Sequence, residues 1–207
     1  MSLWRSLFIV MLLVSKIQLY NEVIKREFRI LNSFLGSLMN VFAAYIEEDE
    51  NMGNDSWRRD RIGSALKGQN PMVLTQMRSG FAVIGDTQFL PGYSLLLPND
   101  HIGSLEELDF QKRGHYLLDA SLLGEAVLTV CQARRVNYSI YGNTDAFLHT
   151  HIFPRYNSEP VERISRPVWD YPKDRWTDLT YAFDEKVHGQ LKMAIKEEVE
   201  RLMKIAY

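Results

Sequence analysis

Phe147-Leu148-His149-Thr150-His151-Ile152-Phe153-Pro154-Arg155 carries side chains that alternate with the period of two expected of a strand. Leu148, Thr150 and Ile152 point to one face; Phe147, His149, His151 and Phe153 point to the other. Pro154 has no N–H for a ladder and is expected to end the strand. Just upstream, residues 136–141 read as another strand, joined to a strand at 146–153 through a turn at Gly142-Asn143. Residues 81–84 and 93–97 are short apolar runs separated by Gly85-Asp86-Thr87-Gln88 and Pro91-Gly92, which predicts two adjacent antiparallel strands.

Helices fill the intervals. Residues 110–134 place Tyr116, Ala120, Leu123, Val127 and Val130 on one face, and Ser104-Leu105-Glu106-Glu107 has the capping-box pattern of a helix start. Residues 184–206 form a final helix expected to bury Val187, Leu191, Ile195, Val199 and Leu202, and residues 57–66 a short one ending near Gly68. The proline- and aromatic-rich residues 160–176 read as an ordered loop wrapped on the domain, with Trp169, Tyr171 and Trp176 either packing there or stacking on a base. The sum is an α+β fold: an antiparallel sheet with packed helices.

Ahead of this domain, the apolar run Leu7 to Val14 has the outline of a signal-peptide core, but no small-x-small cleavage site follows it. It is also shorter than the roughly 20 apolar residues a bilayer requires. Leu7, Val10, Val14, Ile17, Ile24, Phe28, Leu31, Leu35, Leu38, Phe42 and Tyr45 recur mainly at three- and four-residue steps, which predicts an amphipathic helical extension over 1–50. Asn32-Ser33 and Gly36-Ser37 break it into two helices. Its stripe needs the rest of the chain, a second subunit or a membrane surface to cover it. Residues 51–56 form a linker after Glu47-Glu48-Asp49-Glu50, so the main domain is expected at 57–207. Arg58, Arg59 and Arg61 are open to a phosphate-contacting or a surface reading.

The 207 residues are 46% hydrophobic and 24% charged, ordinary for a globular chain, and the formal net charge is -2. No basic excess marks the protein for general nucleic-acid binding. Cys131, in an apolar setting, reads as an inert buried thiol. A single cysteine fits a reducing, cytoplasmic address.

His149 and His151 share a face about 7 Å apart by the strand repeat. Three readings stand beside each other. They are structural histidines at a sheet edge, two ligands of a zinc ion whose third ligand is missing nearby, or a pair that brackets a phosphate.

The segment HTHIFPR resembles the second and third histidines and Pro-Arg tail of the histidine triad superfamily, whose pattern is His-x-His-x-His. PGYSLLLPNDHIGSLEEL resembles that superfamily's strand, proline turn, histidine and helix, and Gly142-Asn143-Thr144 stands where it has Gly-Gln-Ser/Thr. The resemblance spans roughly residues 81–156 and is strongest to diadenosine-polyphosphate-hydrolase-like members. It implies a nucleotide hydrolase or nucleotidyl transferase acting at an α-phosphate, on a diadenosine polyphosphate or a nucleoside phosphoramidate.

By the same resemblance His149 is the nucleophile, His151 donates to phosphoryl oxygens, and Thr144 contacts the leaving-group side. Asn137, Asn143, His101 and Asp86 are the substrate-binding candidates. Asn137 stands one residue closer to Asn143 than usual, and His101 matches a further histidine found beyond the second strand. The bland alternatives are a turn cap for Thr144, a strand-edge amide for Asn137 and a helix cap for His101. No cofactor and no bound metal are expected, although a divalent cation can accompany a polyphosphate. A homodimer is expected. Two departures stand out: Phe147 occupies the first triad position, and Gly85 stands where an Asp or Asn often holds the ribose, with Asp86 adjacent. Phe147 leaves open a nucleotide-binding or scaffold protein that no longer turns over.

Overall fold

The computed structural model describes residues 56–207 together with Lys16, Leu35, Gly36 and Met39. The chain divides into Met1–Ser56 and Trp57–Tyr207, and the account below concerns the second unit. The amphipathic extension expected over 1–50 and the linker at 51–55 lie outside the described residues.

Five strands form one antiparallel sheet: β1 (Val73–Gln76), β2 (Gly80–Ile84), β3 (Ser94–Pro98), β4 (Arg135–Ile140) and β5 (Thr150–Arg155). Their spatial order is β1-β2-β3-β5-β4, so β5 inserts between β3 and the edge strand β4. β2 and β3 are an in-register hairpin from Gly80↔Pro98 to Ile84↔Ser94. β1 was not anticipated. It is four residues long and slips register between Val73 and Thr75, so its alternation is too short and too broken to stand out.

Two long helices cover one face. In α2 (Phe110–Val130), Tyr116, Ala120, Leu123 and Val127 are buried; in α5 (Glu185–Ala206), Ile195, Val199 and Leu202 are buried. They meet Leu148 and Ile152, both fully buried, as the alternation required. Val187, expected to be covered, is 72% exposed on the first turn of α5, although Phe183 just ahead of it packs against the core. The Ser104 capping box is also corrected. Leu105–Glu107 is a single 3-10 turn in which Ser104 makes no side-chain cap, and Asp109 caps α2 by accepting from Lys112 N–H at 2.8 Å. Glu107 instead reaches back to Gly103 N–H at 3.3 Å.

α1 (Arg61–Leu66) is the short helix expected near Trp57. After β5 the chain forms four short helical turns, α3 (Val161–Ile164), a 3-10 turn at Val168–Asp170, α4 (Asp174–Thr177) and a 3-10 turn at Leu179–Tyr181. They lay the aromatic residues on the sheet face away from α2. Pro154 does not end β5: it pairs with Val136 of β4, beyond Ile152, the last residue of β5 that pairs with β3. Among the described residues no helix is long and apolar enough to cross a membrane.

Candidate active site at the paired histidines

His149 is the last residue before β5 and His151 its second residue, and both project to the face opposite α2. Their rings come closer than the backbone repeat alone predicts, with centroids 4.7 Å apart and edge-on. His149 is 6% exposed, so the histidine face is roofed and not open to solvent as a bare sheet would be. The roof is aromatic. Trp169 sets its edge on His151 at 4.9 Å and stacks on Trp176 at 4.9 Å. Tyr171 turns away to hydrogen-bond Glu159, as a packing residue.

Each imidazole has one nitrogen fixed. His149 Nδ1–H donates to the Phe147 carbonyl at 2.8 Å, which leaves Nε2 with its lone pair. His151 Nδ1 lies 2.6 Å from the Tyr93 hydroxyl. Burial, and then the charge of Asp86, push the Tyr93 phenol upward, so it keeps its proton and is the donor. Burial, and then the charge of His149, push the His151 imidazolium down to about 3. His151 is therefore neutral at physiological pH, with its proton on Nε2. One ring presents a nitrogen with a free lone pair and its neighbour presents an N–H donor.

Two clefts meet at this pair. One, of about 490 Å³, is lined by Tyr141, the 142–145 turn, both histidines and Trp169. Gly142, with φ of 144°, makes the reversal that a side chain would strain. This cleft brings His149, His151, Thr144 and Asn143 together. The other, of about 150 Å³, runs from the histidines past Phe147 and Leu95 to Asp86 and Arg61. Asp86 is held there by Arg61, with contacts of 2.6 and 3.1 Å, and by Arg58 at 3.3 Å. Two of the three arginines left open by the sequence thus serve a carboxylate.

The other two candidates lie elsewhere. Asn137 is on the histidine face, but beside Phe153, and its side-chain Oδ1 accepts from Arg155 at 2.8 Å. His101 is 62% exposed and faces Asp60 at 3.1 Å. Neither lines the two histidine clefts. Phe147 rests against the core, 5.0 Å from the His149 ring. Gly85 also has a steric reason: a Cβ there would lie 2.4 Å from the Tyr93 ring. Sequence reasoning missed Tyr93 and Asp145, which lines both clefts. Among the described residues no group of three or more His, Cys, Asp or Glu is placed to hold a metal ion.

No family model matches the sequence, and no curated protein matches it. Solved structures do. A histidine triad protein from Sinorhizobium meliloti 1021 is 18% identical, with a TM-score of 0.52 over 61% of this chain and 88% of its own. One from Marinobacter aquaeolei VT8 is 21% identical, with a TM-score of 0.52 over 63% of this chain and 89% of its own. A hypothetical histidine triad nucleotide-binding protein from Sulfolobus tokodaii strain 7 is 16% identical, with a TM-score of 0.52 over 68% and 91%. At these identities the likeness is one of fold, and the chain carries the fold of the histidine triad superfamily.

Proposed function

We propose that the protein hydrolyses or transfers nucleotidyl groups at an α-phosphate through a nucleotidyl-histidine intermediate. The observation that carries this reading is the His149 Nδ1–H bond to the Phe147 carbonyl, 2.8 Å long, which directs an unprotonated Nε2 outward. Nε2 attacks the α-phosphorus; a P–N bond forms as the bond to the leaving group breaks and carries its electron pair away. Water then attacks the adduct, the P–N bond breaks, and His149 is restored. His151 Nε2–H donates to a non-bridging oxygen as charge builds in the transition state. Thr144 and Asn143, on the wall of the same cleft, are assigned to the leaving-group side. A divalent cation entering with a polyphosphate fits this scheme.

Mass spectrometry after mixing with diadenosine tetraphosphate and with adenosine phosphoramidate tests it. AMP release, or an adenylyl adduct on His149, is expected. Phe147 favours a second reading: a phenyl ring cannot relay a proton, and a nucleotide-binding protein without turnover would show binding and neither product. Phe147→His separates the two, because a rate gained by the added imidazole belongs to an enzyme. A homodimer is part of the proposal. Tyr138 of the edge strand β4 and Tyr141 just after it are about half exposed, and sedimentation as a monomer at micromolar concentration would count against it.

A further inference from the structure

His149, His151, Phe153 and Arg155 follow one another along the same face of the strand, so the period that places the histidines puts a guanidinium at the far end of that face. The Arg155 side chain is 4% exposed. All five of its N–H donors are taken. Nε–H is shared between the two carboxylate oxygens of Glu159 at 3.0 and 3.1 Å, and one Nη2–H goes to the same group at 2.9 Å. The other three go to Asn137 Oδ1 of β4 at 2.8 Å and to the backbone carbonyls of Arg166 and Arg163 at 2.8 and 2.9 Å. Glu159 also accepts from Tyr156 N–H and from the Tyr171 hydroxyl, both at 2.7 Å. Burial works against its charge, but the donors outweigh it and hold the carboxyl below the ordinary range.

These bonds bracket Trp169. Arg166 lies just ahead of it and Tyr171 just after, and both are fastened to the one ion pair. Between them the turn at Val168–Asp170 buries Val168 and sets the Trp169 ring against His151 and Phe153. The ring's own polar bond is long, Nε1–H to Ser139 Oγ at 3.3 Å. Trp169 brings no charge to His151. The titratable groups in contact with the His151 ring are His149 and Tyr93, with Asp86, Arg61 and Asp145 further along the cleft. The indole therefore acts on His151 by keeping water off it.

We propose that Arg155, paired with Glu159, is a positioning residue: it fastens residues 156–171 to β5 and so holds Trp169 over His151, shielding from water the ring that donates to the phosphoryl oxygens. Its effect on rate rests on the reaction proposed above; its effect on His151 does not. Arginine suits the position because a planar fork reaches a carboxylate and two backbone carbonyls at once, which an ammonium cannot.

Arg155→Lys keeps the charge and loses the fork. Nitrogen NMR of the His151 ring against pH, in the full-length protein, is the readout, with circular dichroism to show that the variant is folded. Wild-type His151 is expected to stay neutral until the pH approaches 3, and in the variant its midpoint should rise by at least about one pH unit toward the ordinary 6.5. A folded Arg155→Lys whose His151 titrates as in wild type overturns the proposal. If the lysine variant does not fold, Tyr171→Phe decides: it leaves the ion pair intact and removes one bond beyond Trp169, so a smaller rise is expected and none overturns the proposal. Turnover is the second readout, and kcat for AMP release from diadenosine tetraphosphate should fall about tenfold in Arg155→Lys. Wild-type protein that turns over no nucleotide overturns the reaction and leaves the hold of Arg155 on Trp169 standing. Full kcat in a variant whose His151 has shifted overturns the catalytic consequence alone.

Discussion

Leu148, Thr150 and Ile152 face α2, while His149, His151 and Phe153 face the aromatic turns, so a single six-residue stretch has two differently built surroundings. On the helix side the packing is apolar, and the polar group of this stretch is tied into it: Thr150 Oγ1 donates to the Tyr116 hydroxyl at 3.0 Å, which donates to the Leu96 carbonyl at 3.1 Å. On the histidine side every ring is in contact with another ring, and each polar nitrogen that is tied determines which nitrogen is free. The first surface needs volume. The second needs particular atoms. Substitutions on the helix side should therefore cost stability, and those on the histidine side should cost chemistry.

The largest effect that could break this division is His149→Ala. It should lower the rate on any true substrate by at least roughly 10³-fold, since in the proposed reaction no other group there supplies the nucleophile. Thermal unfolding should hardly change, and a large drop in Tm would mean that His149 is a packing residue. Leu123→Ala is the counterpart across the sheet. Leu123 is fully buried, so the cavity should cost about 2–5 kcal/mol in denaturant unfolding, with kcat retained under conditions where the protein stays folded.

Tyr93→Phe sharpens the comparison because it removes one oxygen and keeps the ring against Gly85 and Phe153. Without the hydroxyl, His151 Nδ1 loses the donor that places its proton on Nε2. A rate loss of about tenfold is expected. Nitrogen NMR shifts of the His151 ring should report mixed tautomers, and an unchanged spectrum would remove Tyr93 from the site. Trp169→Ala should cost about 1 kcal/mol or less, as the ring is 39% exposed.

A further effect is one of pH. The folded-state value of His151, about 3, lies below the ordinary 6.5. The unfolded chain therefore binds the proton more readily than the native one. Stability from this residue is complete above about pH 6.5 and declines as the pH falls toward 3. Denaturant melts of wild type and His151→Gln should diverge in slope across that window, and parallel slopes would place His151 in a wetter setting.

Much of this was legible in the sequence because it is local. A strand repeats every two residues and a helix every 3.6, so the alternation at 147–153 and the apolar stripe of α2 identify the faces before any strand is paired. The same alternation put both histidines on the side away from α2, and the motif HTHIFPR drew attention to them. Register and partner choice are not local. Tyr93 reaches His151 across 58 residues, through a strand pairing that no short window encodes. Asn137 sits on the expected face, yet Arg155 takes its side-chain Oδ1; Asp86 lines a histidine cleft, yet Arg61 and Arg58 take its carboxylate. His101 follows β3 as expected and turns outward to Asp60. The sequence alone determined the α+β fold, the strand faces and the two histidines. Only the tertiary structure decided which nitrogen of each ring is free, because a tautomer is set by the atom within hydrogen-bond reach, and those atoms are brought there by the folding of distant segments.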